Sequence, residues 1–186
     1  MERLMKYYEM ALTIKKAHPL DLDTANFIAN WIDENYIFRM LEIGSGIGFS
    51  ANYLALNTKM TSITSLEKDF GYYMEAKKRS LSEKIEFIWT DFREFDTHTK
   101  YPLIFLDASK YNQIELFNKA KKFLKAKGTI IIDNIYLKRV RSRTDKKALK
   151  IIKKSEEFKE YLLRLEDFKV KIADVGDGVA ICQKID

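Results

Sequence analysis

The sequence predicts an α/β fold built on a mostly parallel sheet and closed at its C-terminus by an antiparallel pair of strands. Three observations carry this prediction. Short apolar runs of strand length alternate with helix-length segments through the middle of the chain, as βαβ units do. A glycine-rich turn, Gly44-Ser45-Gly46-Ile47-Gly48, follows the first of these runs, where a strand would hand over to a helix. The last two apolar runs are joined through Gly176, Asp177 and Gly178, which suits a hairpin.

Taken in order, the chain opens with two expected helices, Glu2–Lys16 and Asp21–Glu34, parted by Pro19. Asp21 suits the N-cap of the second, because a short carboxylate accepts from the exposed first-turn amides. A strand is expected over Met40–Ile43, then the glycine turn, then a strand over Thr61–Leu66 and a helix near Tyr72–Leu81. Strands follow at Ile85–Trp89 and Leu103–Asp107, a helix at Gln113–Leu124 and a strand at Thr129–Asp133. A long charged helix is expected over Lys146–Leu163, and the final strands over Phe168–Ile172 and Val179–Gln183.

The 186 residues are enough for one such domain and too few for two ordinary enzymatic ones, so a single domain over 1–186 is expected. Its N-terminal helices, within residues 1–35, are expected to cover the site. Apolar residues make up 46% of the chain and proline and glycine together number nine, which excludes disordered and collagen-like classes. No apolar run approaches the roughly 18 residues that span a bilayer, and the charged start does not resemble a secretory signal. A cytoplasmic protein without a membrane partner is therefore expected. The lone Cys182, set in an apolar run, reads as a buried reduced thiol. Trp31 and Trp89 read as core, and His18 and His98 lie away from every strand-end motif. Net charge is +6, yet between Lys138 and Lys159 ten basic residues face three acidic ones. That surplus would attract a phosphate backbone or form a solvated helix face.

The fragment Leu41 to Gly48 places glycines where the backbone must approach a ligand and helix amides face the same crevice. Dinucleotide enzymes use such a turn too. Here Glu42 precedes it, and the pattern resembles motif I of class I methyltransferases, E-x-G-x-G-x-G, which implies S-adenosylmethionine as cofactor. Glu67, twenty-three residues after Gly44, ends the next strand, where an acidic group can accept both ribose hydroxyls. Asp91 follows the next strand and would lie beside the adenine, or cap its own turn. The candidate cofactor-binding residues are Glu42, Gly44, Ser45, Gly48, Phe49 and Ser50 around the turn, with Glu67, Lys68, Asp91, Phe92 and Asp107 at later strand ends.

On the reaction side, one strand ends Leu106-Asp107-Ala108-Ser109-Lys110 and another Ile132-Asp133-Asn134. An open α/β sheet binds its ligands beyond such C-terminal ends. Asp107, Asp133 and Asn134 offer hard oxygen donors suited to Mg²⁺, Mn²⁺ or Ca²⁺, or else cap helices and turns.

The motifs LEIGSGIGFS, SLEKD, IFLDASK, KGTIIIDN and GDGVAICQK stand in the order of those of the metal-dependent O-methyltransferases that include catechol and caffeoyl-coenzyme A O-methyltransferases. Members show L-E-I-G-T-x-x-G-Y-S, I-E, F-I-D-A-x-K, G-G-x-I-x-x-D-N and G-D-G, and the resemblance spans the chain from about residue 36 onward. It implies a Rossmann-like class I methyltransferase with seven strands and helices on both faces. It also implies a divalent metal on Asp107, Asp133 and Asn134, and catalysis by Lys110 with Asp107, Lys110 taking or orienting the acceptor's hydroxyl proton. A homodimer is expected by analogy alone. The chain departs from the pattern at Lys127, where the family has the first glycine of a doublet, and in a short N-terminal region.

Within that family the chain most resembles bacterial tRNA 5-hydroxyuridine methyltransferases. FLDASKYNQI matches their F-I-D-A-A-K-G-Q-Y apart from Tyr111, the stretch Asn134 to Thr144 matches an arginine-rich segment, and Glu157 to Leu163 matches E-F-N-E-Y-L-L. The resemblance implies methylation of 5-hydroxyuridine at the wobble position of the tRNA anticodon loop, giving 5-methoxyuridine. Arg139, Arg141 and Arg143 would hold RNA phosphates, or be solvated and pair with Asp145. Tyr111, Tyr136 and Phe49 could stack on a base, though core packing suits each of them as well. The alternatives are the same chemistry on a small catechol-like molecule, and an RNA-binding protein with a degenerate methyltransferase fold.

Overall fold

Strands buried on both faces need near-continuous apolar runs, and the central runs of this chain become such strands. The computed structural model describes residues 2–14, 18–108 and 110–185, the side chain of Arg139 excepted. Ser109, Lys15 and Lys16 therefore lie outside the described residues. The seven strands belong to one sheet, ordered β3-β2-β1-β4-β5-β7-β6, and helices flank them in a Rossmann-like α/β fold. Two compact units, Met1–Asp96 and Thr97–Asp186, make up the chain.

The first unit contains α1 (Glu2–Thr13), α2 (Leu22–Glu34), β1 (Arg39–Ile43), α3 (Phe49–Asn57), β2 (Ser62–Glu67), α4 (Phe70–Lys78) and β3 (Ile85–Trp89). Asp21 caps α2 as expected, its side chain accepting from the Thr24 amide at 3.0 Å. Asp69 does the same for α4, accepting from Tyr72 N at 3.0 Å, so this helix starts two residues before the apolar pattern indicated. All three strands are parallel, with Ile43 beside Leu66 and Glu67 beside Trp89. That register brings the glycine turn, Glu67 and Asp91 to one edge of the unit. Trp89 is not core: it is 56% exposed, because β3 is the terminal strand of the sheet, and its indole donates to Lys68 O at 3.0 Å. Trp31 is only partly buried.

The second unit contains β4 (Tyr101–Leu106), α5 (Gln113–Ala120), β5 (Leu124–Asp133), α6 (Lys138–Arg141), α7 (Lys146–Leu163), β6 (Phe168–Ala173) and β7 (Val179–Lys184). β4 and β5 run parallel, while β7 runs antiparallel to both β5 and β6, which is the expected C-terminal hairpin. Leu106 lies beside Ile132 and Asp133 beside Val179, so Asp107, Asp133 and the Gly176–Gly178 loop share one edge. Ser45, Thr64 and Thr129 are among the buried polar residues of the described chain, with Glu42, Glu67 and Asp133.

Helix α5 ends four residues earlier than its sequence suggests. A 3-10 turn, Lys121–Phe123, follows it, and Leu124 already pairs with Tyr101 in the ladder. Burial of Phe123 and Leu124 overrides the local helical preference of this lysine-rich stretch. Lys127 then adopts φ +57°, a left-handed conformation natural to the glycine that the family has there. Gly128 follows, and a Cβ on it would come within 2.9 Å of the Leu124 side chain. Because the Lys127 side chain is exposed, Lys127→Gly should relieve backbone strain without costing contacts. We expect a gain of about 1 kcal/mol, partly offset by chain entropy, and a melting temperature higher by roughly 2–4 °C. Differential scanning calorimetry checks it, and a lower melting temperature would contradict the assigned conformation.

Candidate functional site

The glycine turn is pinned to the sheet before any side chain acts on it. Gly44 N and Ser45 N both donate to Leu66 O, at 2.9 and 3.1 Å, and Gly48 N closes the turn on Ser45 O at 2.8 Å. Gly48 holds φ +87° at the head of α3, and a Cβ there would meet Ala76 and Phe87 at 2.9 Å. Gly46 also has a positive φ, but a Cβ on it would meet nothing within 4 Å. Open space beside a backbone that any residue larger than glycine would fill is what a ligand cradle requires.

Glu67 stands beside this opening. Its Oε2 accepts from Gly46 N and its Oε1 from Asp69 N, both at 2.8 Å. Burial raises its pKa, while the same amide donors pull in the opposite direction. The Lys68 backbone amide bears on the same carboxylate, so of its roughly four acceptor sites about one remains for a further donor. That direction and the space beside Gly46 fit a ribose hydroxyl of an adenosyl cofactor.

Glu42 does different work. It is fully buried, and its two oxygens accept from the hydroxyls of Ser50, at 2.5 Å, and Ser65. It braces the first turn of α3 against β2, underneath the glycine turn. Phe49 is likewise buried, ringed by Tyr7, Tyr8 and Tyr53, which places it in the core of this unit. Ser45 is buried, and its hydroxyl approaches Gly46 O at 3.4 Å. Lys68 is exposed and Phe92 buried beside Phe95. Asp91 caps its own turn: its carboxylate accepts from Arg93 N at 2.9 Å and from the Arg93 guanidinium at 2.6 Å. Hydrogen bonding from that guanidinium holds the Asp91 carboxyl down at about 2.

In the second unit, the Lys110 ammonium donates to Asp107 Oδ1 and to Asp133 O, each at 3.2 Å. Asp133 is buried and receives the Asn134 backbone amide on Oδ1 at 2.7 Å and the Asn134 side-chain amide on Oδ2. Asn134 makes this embrace from a left-handed backbone, φ +64°. The expectation of Mg²⁺, or of Mn²⁺ or Ca²⁺, on Asp107, Asp133 and Asn134 is accordingly corrected. The donors are turned on one another and on Lys110, and among the described residues no group of three or more His, Cys, Asp or Glu is placed to hold a metal ion. As arranged, these side chains do not fit a metal centre.

The segment after Asn134 is held on two sides. Ile135 N donates to Gly178 O at 3.0 Å and Tyr136 N to Asp177 O at 2.8 Å, while Ser155 on α7 donates to Ile135 O at 3.0 Å. Arg141 donates to Tyr136 O at 2.6 Å and pairs with Glu156, and Arg143 pairs with Asp145 at 2.8 Å. The Arg139 side chain lies outside the described residues. Lys138, Lys154 and Lys159 also have carboxylate partners, Asp174, Glu157 and Glu156. Five of the nine basic residues of this stretch whose side chains are described are therefore paired within the protein. Cys182 is fully buried, and burial pushes its thiol up to about 12, which fits the reduced, unreactive thiol expected. Sequence reasoning missed Tyr7, whose hydroxyl donates to Ile47 O inside the glycine turn. A tyrosine on the buried face of an amphipathic helix carries no signal for such a bond.

The O-methyltransferase family model matches residues 4–185. The fold is shared with a protein from Staphylococcus aureus assigned as a caffeoyl-CoA O-methyltransferase, 23% identical, with a TM-score of 0.86 over 98% of this chain and 91% of that one. It is shared with the methyltransferase PaMTH1 of Podospora anserina, solved with S-adenosylhomocysteine, at 18% identity and a TM-score of 0.84 over 100% and 89% of the two chains. The O-methyltransferase TomG of Streptomyces achromogenes, involved in tomaymycin synthesis and solved with S-adenosylmethionine, matches at 18% identity and a TM-score of 0.78 over 99% and 90%. These comparisons overturn the expectation of a tRNA substrate and of a role in tRNA processing. They align the chain with O-methyltransferases that are named for small molecules, and the paired Arg141 and Arg143 are not presented as a phosphate-binding row. No helix among the described residues is long and apolar enough to cross a membrane.

Proposed function

The chain belongs to the O-methyltransferase family and is an enzyme that uses S-adenosylmethionine, and from that premise we propose that its acceptor is a small catechol-like molecule. The bound cofactor supplies an electrophilic methyl group on a sulfonium. Glu67 accepts from the ribose on the acceptor capacity its backbone amide donors leave, Gly46 leaves room for the nucleoside, and Glu42 keeps the turn rigid through Ser50 and Ser65.

The observation that carries the acceptor side is the posture of Lys110. An ammonium has three N–H donors, and two of them are committed to Asp107 Oδ1 and Asp133 O. The third is left to meet the acceptor's hydroxyl oxygen. Donation there stabilises the negative charge that develops as the O–H bond is lost and holds the oxygen still for attack. The acceptor oxygen then forms a bond to the methyl carbon as the carbon–sulfur bond breaks. The products are a methyl ether, S-adenosylhomocysteine and a proton released to water.

The test is methyl transfer from labelled S-adenosylmethionine to a panel of catechols, with the products identified by mass spectrometry. Methyl ethers should form with wild-type protein, and Lys110→Ala should lower kcat by about a hundredfold while leaving cofactor affinity within about twofold. A protein that binds S-adenosylmethionine but methylates no catechol would overturn the acceptor assignment.

A further inference from the structure

Helix α1 carries a tyrosine whose polar atom is spent inside the cofactor turn. Tyr7 is 6% exposed, and its hydroxyl donates to the carbonyl of Ile47, forty residues away. Its ring meets Phe49 edge-on at 6.2 Å. Ala11 and Ile47 complete this small core, with Met10, Ile14, Tyr72 and Leu81 packed around it. A phenylalanine would fill the same apolar pocket, so the hydroxyl is the part of Tyr7 that packing does not explain. Buried polar atoms of this kind are retained with a partner because an unpaired one is costly.

The partner matters for geometry. A peptide unit is planar, so the direction of the Ile47 carbonyl fixes the direction of the Gly48 N–H in the same plane. That N–H closes the glycine turn on Ser45 O at 2.8 Å. Gly48 also holds a positive φ at the head of α3, where a flexible residue would otherwise sample other conformations. Tying down one carbonyl therefore sets the peptide that joins the turn to its helix.

Resting on the reading of this turn as the cofactor cradle, we propose that Tyr7 is a positioning residue. It uses α1 to hold the Gly44–Gly48 turn in the shape that binds S-adenosylmethionine, and so couples the N-terminal helix to cofactor affinity. It touches neither acceptor nor reacting atoms, so its removal should act on cofactor binding and spare kcat at saturating cofactor.

Isothermal titration of S-adenosylmethionine into the full chain tests this, comparing wild type, Tyr7→Phe and Tyr53→Phe. Tyr53 is the control because its hydroxyl also makes one side-chain bond in this unit, at 2.5 Å to Asn26, but away from the turn. Tyr7→Phe should raise Kd by about five- to tenfold, the scale of one lost buried hydrogen bond. Tyr53→Phe should leave Kd within about twofold of wild type. Both variants keep their rings, and thermal melts confirm folding. Hydrogen exchange over residues 44–50 gives a second readout, faster in Tyr7→Phe and unchanged in Tyr53→Phe. Equal Kd in Tyr7→Phe and wild type, or an equal rise in both variants, would overturn the inference. Wild-type protein that binds no S-adenosylmethionine would overturn the cradle reading and this inference with it.

Discussion

Glu67→Ala is expected to weaken S-adenosylmethionine binding by about a hundredfold or more. A charge-assisted hydrogen bond to the ribose, worth about 1.5–3 kcal/mol, would vanish, and every 1.4 kcal/mol is about tenfold in Kd. The amides of Gly46 and Asp69 would lose their acceptor as well, loosening the turn next to the open space. Glu67→Gln separates the two effects, since its single carbonyl oxygen can serve one amide while its NH₂ must face the other donor. Titration calorimetry should place Gln between wild type and Ala. If Ala binds as tightly as wild type, Glu67 is not the ribose acceptor.

The same carboxylate has a pH signature. Burial raises its folded-state pKa above the unfolded value, so the folded protein holds this proton more tightly than the unfolded chain does. Its contribution to stability is greatest below the ordinary carboxylate range and is lost as pH rises through the raised value. Cofactor affinity runs the other way, because the ribose needs the ionised acceptor, and falls as pH drops through that value. Opposite slopes for melting temperature and cofactor affinity, both flattened in Glu67→Gln, identify the group.

Much of the frame was legible because burial and periodicity agree along most of the chain. Ile85–Trp89 and Lys146–Leu163 coincide with β3 and α7, and the expected closing hairpin is β6 and β7. Agreement breaks where tertiary forces override local preference. Lysines 121 and 122 favour helix, yet Phe123 and Leu124 are drawn into the core and the ladder. Trp89 looks apolar in the sequence but sits on a terminal strand, a property of strand order that no local window contains.

The candidate site divides along similar lines. Strand ends marked Glu67, Asp107, Lys110 and Asp133, because backbone geometry delivers them there. Which groups those side chains would face was not legible. Glu42 was read as a cofactor ligand from its motif, yet in the fold its carboxylate is taken up by Ser50 and Ser65. The donors expected to hold a metal are engaged by Lys110 and Asn134. An arginine row that suggested phosphate binding contains residues paired with Asp145 and Glu156. Pairing of Arg143 with Asp145 was among the readings of the sequence, whereas that of Arg141 with Glu156 depended on how α7 packs.

Gly178→Ala should destabilise the protein by roughly 2–5 kcal/mol and take acceptor turnover with it. The backbone there has φ +85°, which costs an L-residue about 1–2 kcal/mol. A Cβ would also stand 2.4 Å from Tyr136 Cδ2 and 2.8 Å from Cγ, at the root of the ring, where rotation cannot clear it. Overpacking of that kind costs about 1–3 kcal/mol. The strain enters at a sensitive place, because Ile135 N binds Gly178 O and Tyr136 N binds Asp177 O, immediately after Asp133 and Asn134. Moving the ring aside therefore pulls on the backbone that carries the acceptor side of the proposed site. Denaturant melts measure the stability loss, and kcat at a temperature where the variant is folded measures the functional one. Adding Tyr136→Ala removes the clash but not the left-handed backbone, so the double variant should recover the overpacking part of the loss, less the cost of the deleted ring. If Gly178→Ala is as stable and as active as wild type, the loop does not press on Tyr136, and the support assigned to the Asp133–Asn134 segment fails.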